Sequence, residues 1–175
     1  MGRKTVIDNC REMNTYEAIL LAKMYRQEGM RIIKQAPTEA VGVQEFICHY
    51  IVGYTNLAFA CELALKIIIV CHNGAVESLP RGHSLKNLYE QLRSDIQLAI
   101  RYMTTEYCNQ KLINQVYTEE MFYVDLEKYS HAFEEARYWY ERQENKSEKV
   151  AGIAFITSFS EALFSLVEGM EDNMN

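Results

Sequence analysis

The chain has 175 residues, 49% of them hydrophobic, and a formal net charge of −6; this suits one folded domain and excludes both intrinsic disorder and a strongly basic nucleic-acid coat protein. Two prolines and eight glycines supply too little turn chemistry for a sandwich or barrel of short strands, so the composition predicts an all-α protein. No internal repeat or low-complexity tract divides it, and residues 1–175 read as a single helical domain.

A first helix is predicted over 9–34, where Tyr16, Ile19, Leu20, Lys23, Met24 and Met30 form an imperfect apolar stripe that ends at Gln35-Ala36-Pro37. Thr38 then caps a long second helix, with Phe46, Tyr50, Tyr54, Leu57, Cys61, Leu65 and Ile68 recurring every three or four residues until Asn73-Gly74. After the loop Pro80-Arg81-Gly82-His83, Ser84 is a good N-cap for a third amphipathic helix through Leu85, Leu88, Leu92, Ile96, Ala99 and Met103. A fourth spans about 118–142 on the stripe Phe122, Leu126, Tyr129, Phe133, Ala136 and Tyr140. The last, over about 148–168, is apolar on more than one face and must be covered on several sides. Long amphipathic helices with short connections predict an antiparallel up-and-down bundle of four to five helices, with a surplus apolar face that invites a homodimer.

The start of the chain turns polar after two apolar residues, which predicts no secretory signal. The most apolar window, 150–167, contains Glu161 and reads as a buried helix rather than a membrane span. Cysteines at 10, 48, 61, 71 and 108 show neither a CxxC pair nor zinc spacing, which predicts buried structural thiols, no metal and a reducing cytoplasm.

Three constellations carry chemistry. Glu62 and Lys66, at i and i+4 in CELALK, are either an exposed helical ion pair or an inward-facing pair that needs a partner. Arg81 and His83 precede a helix N-terminus, where a phosphate could sit, or else His83 packs as a structural hydrogen-bonding group. In FEEARYWYE, Arg137, Tyr138 and Glu141 share a polar edge suited to phosphate or base recognition, or to a network locking helices together. Trp139 reads as core or interface. No Walker A, GxGxxG, HExxH or GxSxG motif is present, and no catalytic residue or cofactor is assigned.

The runs CELALKIIIV, GHSLKNLYEQL and FEEARYWYE, in that order over about 57–141, resemble the HEPN family (higher eukaryotes and prokaryotes nucleotide-binding). The resemblance implies a compact helical bundle that dimerises and a nucleotide or RNA ligand. Many members are metal-independent ribonucleases with an Arg-x4-6-His motif, and no histidine of this sequence has an arginine at the required spacing. The implied protein is therefore a non-catalytic nucleotide- or RNA-binding module of a toxin-antitoxin or defence-type system, with a nucleotidyltransferase as a candidate partner. The residues that match are Glu62, Lys66, His83, Arg137, Tyr138 and Glu141, and Arg81 lies beside them. The alternatives are an RNA-cleaving toxin with a degenerate site and a protein-protein interaction module.

Overall fold

Two glycines set the closest helix crossing. In the computed structural model, which describes residues 15–35, 42–73, 80–112, 115–138 and 152–172, α1 (Thr15–Lys34) packs along α2 (Val43–Asn73). A Cβ on Gly29 would stand 2.9 Å from the Gly53 carbonyl oxygen, and one on Gly53 would stand 2.6 Å from Cγ1 of Ile33. Only hydrogen at both positions lets the backbones approach this closely. Tyr25 of α1 meets Phe59 of α2 edge to face at 4.7 Å further along the same contact.

The inward face of α1 differs from the predicted stripe. Ile19, Ala22 and Gly29 are buried, with Ala18, Tyr25, Met30 and Ile33 packed against the core, whereas Tyr16, Leu20 and Met24 face solvent. Small residues allow close packing, so the side of α1 that carries them, not the side with the bulkiest apolar groups, meets α2.

The middle of the chain is more broken than its periodicity predicts. The predicted third helix is two, α3 (Leu85–Glu90) and α4 (Ser94–Lys111), separated at Gln91–Arg93. Gln97 Nε2 donates to the Leu92 carbonyl at 2.8 Å and to the Glu90 carbonyl at 3.3 Å, satisfying groups that the break releases, and Tyr89 Oη donates to the Gln97 carbonyl at 2.8 Å, tying α3 to α4. The predicted fourth helix is likewise divided into α5 (Glu119–Lys128) and α6 (Ala132–Arg137) around Tyr129, Ser130 and His131. The last, α7 (Ile153–Asp172), completes seven helices among the described residues, with no strand, so the fold is all-α and the predicted count of four to five is too low.

Helices α2 and α7 pack on each other at the centre, with α1 against α2, α4 against α7, α6 and α3 against α2, and α5 against α4 and α3. Phe122, Phe155 and Phe159 build an aromatic core between α5 and α7, the last two stacked at 5.4 Å. Arg26 lies over the Phe164 ring at 5.1 Å, joining α1 to α7. The stretches Glu45–His72 and Ile153–Met170 are long and apolar enough to cross a membrane by length and composition, and more than half of each is buried inside the fold.

The thiols divide into two classes. Cys61 and Cys108 are buried, and burial pushes the Cys61 thiol up to about 12. Cys48 and Cys71 are exposed, contrary to the expectation of uniformly buried cysteines, and Cys10 lies outside the described residues.

Candidate functional site

Glu62 sits in the apolar middle of α2 and is 1% exposed, so its carboxylate requires partners. It has two: Lys66 Nζ, one turn on, donates to Oε1 at 2.8 Å, and His83 Nδ1 lies 3.0 Å from both Oε1 and Oε2. The inward alternative for the Glu62–Lys66 pair is thus the observed one. The partner that it needs comes from the loop before α3.

His83 is held in place by the turn ahead of it. Gly82 has φ +92°, a left-handed conformation that L side chains rarely adopt, and it carries His83 toward α2. An ionised carboxylate accepts and cannot donate, so against it Nδ1 carries the shared hydrogen. The His83 side chain is 47% exposed, against 19% for Lys66 and 2% for Glu62. The cluster therefore grades from a buried anion to a half-exposed imidazole.

An aromatic line backs the histidine. Phe133 of α6 stacks on Phe59 of α2 at 4.6 Å and its ring lies 6.2 Å from that of His83. Phe133 is visible in the sequence only as one member of an apolar stripe. Its neighbourhood depends on the chain turning at Ser130, which periodicity does not reveal.

The N-terminus of α3 is not the anion site that the loop sequence suggested. Ser84 Oγ accepts from Asn87 N at 3.1 Å, the Ser130 carbonyl from Leu85 N at 2.8 Å, and Ser130 Oγ lies 3.4 Å from Lys86 N and 2.6 Å from Ser84 Oγ. The first-turn donors already have protein acceptors, so a phosphate would find none of them vacant. Two serines, 46 residues apart, thus fasten α3 to the turn between α5 and α6. Only Ser84 was legible as a cap.

Of the other predicted residues, Arg81 and Tyr138 are described. Arg81 is exposed in the loop, two residues before His83. Tyr138 caps the C-terminus of α6 and is 43% exposed. The side chain of Arg137 and all of Trp139, Tyr140 and Glu141 lie outside what the structure describes.

Among the described residues no group of three or more His, Cys, Asp or Glu is placed to hold a metal ion. No family model matches the chain, and no curated protein or solved structure matches it significantly. The likeness to HEPN proteins accordingly stands on the three sequence runs alone.

Proposed function

We propose that the chain is a non-catalytic, HEPN-like helical module that binds a nucleotide or an RNA element through the Glu62, Lys66 and His83 cluster. The observation that carries this reading is a buried carboxylate that orders one cation and one half-exposed imidazole toward the same surface. In this account Lys66 and His83 address a phosphate or a polar base edge, Glu62 orients both, and Arg137 and Tyr138 are further candidate contacts by their sequence positions. The four long helices α1, α2, α4 and α7 act as an up-and-down bundle. The protein works in the cytoplasm, with α2 and α7 as core helices, and self-associates through exposed apolar faces. A nucleotidyltransferase chain from a toxin-antitoxin or defence-type system is the partner that the family likeness suggests.

A second reading is favoured by a specific observation. Both Glu62 oxygens are already engaged and the α3 donors are filled, as in a network whose work is to lock α2 to the loop before α3. Thermal melting with a panel of nucleotides and short RNAs separates the two. A ligand at about 100 times its Kd adds roughly 2.7 kcal/mol, equivalent to several degrees. A shift from one ligand class, lost in still-folded His83→Ala and Arg137→Ala variants, supports the binding module. No shift from any ligand leaves the lock. Metal-free RNA cleavage abolished by His83→Ala would instead identify a toxin with a degenerate site.

A further inference from the structure

Among the described residues, α1 and the α4/α5 pair each expose an apolar face, and their charges are opposite. On α1, Tyr16, Leu20 and Met24 recur every fourth residue and are 66%, 49% and 58% exposed. Around it Lys23, Arg31 and Lys34 outnumber Glu17 and Glu28, Arg31 pairing with Glu28, while Arg26 turns inward over Phe164. The second face is built by α4 and α5. It exposes Leu98 and Tyr102, one turn apart, with Tyr123, whose hydroxyl accepts from Arg101 Nη1 at 2.6 Å, and Val124 beside it. Here Glu106, Glu119 and Glu120 outnumber Arg101, which pairs with Glu119 at 3.1 Å. Helices α2 and α7 lie between the two faces, so one copy can engage a neighbour with each.

We propose that these faces bind each other between copies of this chain, the α1 face of one seated on the α4/α5 face of the next. Apolar burial would supply the driving force. Charge selects the pairing, because a face meeting its own copy juxtaposes like-signed rims and a face meeting the other juxtaposes opposite ones. Contacts between unlike faces are heterologous, so each copy that joins leaves one face of each kind open. The assembly then closes as a ring or extends as a filament. This goes beyond the self-association proposed above by naming the surfaces and the symmetry, and it does not depend on the ligand site.

Sedimentation velocity on the full chain tests it, using two variants confined to exposed charges. One carries Arg31→Glu and Lys34→Glu, the other Glu106→Lys and Glu120→Lys, and circular dichroism checks that both remain helical. Wild type should self-associate with an affinity that weakens as salt rises. Each variant alone should sediment as a monomer, with association weakened by about tenfold or more. Mixing the two should restore association in alternating order, since both contacts between unlike faces of the two variants are oppositely charged. The four-substitution chain, with both rims reversed, should self-associate again. If charge reversal unfolds a variant, Leu20→Gln and Tyr102→Gln replace the two sets: each alone should be monomeric, their mixture should give a 1:1 pair through the two intact faces, and the chain carrying both should stay monomeric. A monomeric wild type, a mixture that stays monomeric, or dissociation by one set of changes alone would each overturn the proposal, the last in favour of a symmetric dimer through a single face.

Discussion

Both carboxylate oxygens of Glu62 lie 3.0 Å from Nδ1 of His83, across 21 residues of sequence. The contact joins the middle of the most buried helix to a half-exposed ring in a loop. It fixes which imidazole nitrogen is offered outward, and the chemistry proposed for the chain depends on that choice.

Glu62→Gln tests how far this arrangement is structural. Glutamine keeps the shape but removes the charge that Lys66 and His83 share, and hydrogen bonds to charged groups contribute about 1.5–3 kcal/mol. A loss of stability in that range, read from urea unfolding, is expected. Lys66→Met should cost at least as much as Glu62→Gln, because it leaves a buried carboxylate with His83 as its remaining described partner.

The glycines divide by what a methyl group would meet. Gly29→Ala and Gly53→Ala drive a carbon into the α1–α2 contact, and overpacking of this kind costs about 1–3 kcal/mol. Gly169→Ala in α7 meets nothing within 4 Å and should stabilise by roughly 0.5–1 kcal/mol through helix propensity. Melting temperatures of the three variants should fall, fall and rise.

Asp125 sets a pH dependence. Its carboxyl accepts from Tyr117 Oη at 2.7 Å, and burial raises its pKa above the ordinary aspartate value despite that bond. A folded-state pKa above the unfolded one gives a contribution that is fully present below the unfolded pKa and lost as pH rises through the folded one. Asp125→Asn keeps an acceptor for Tyr117 and removes the buried charge. The variant should therefore gain stability relative to wild type as pH rises through the carboxylate range, and a gap that shrinks with rising pH would contradict the assignment.

Thiol labelling should follow exposure. Cys48 should react first, Cys71 more slowly because partial burial raises its thiol, and Cys61 and Cys108 only after unfolding. Mass mapping after a brief exposure to iodoacetamide reads the order.

Periodicity located α2 and its buried stripe from Tyr54 to Ile68, because large apolar residues line the side that packs. It misoriented α1, where the packing side is built from Ala18, Ala22 and Gly29, residues that no hydropathy stripe marks. It also ran through the breaks at 91–93 and 129–131, since Leu92 and Tyr129 stay buried within the interruptions and keep the apolar rhythm intact. At the candidate site the i, i+4 spacing of Glu62 and Lys66 was legible as a pair. That it faces inward depends on His83 arriving from a distant loop, and no local pattern encodes that approach. Ser130 was invisible for the same reason.

The most direct measurement is ¹⁵N nuclear magnetic resonance of the His83 ring during titration with nucleotides and a short RNA. The expected result is a ring that carries hydrogen at Nδ1, with saturable perturbation of His83 and the Lys66 ammonium by one ligand class. A ring protonated at Nε2 alone would contradict the Glu62–His83 geometry. A ring protonated at Nδ1 that no nucleotide or RNA perturbs would contradict the binding function and leave the cluster as a lock between α2 and its neighbouring loop.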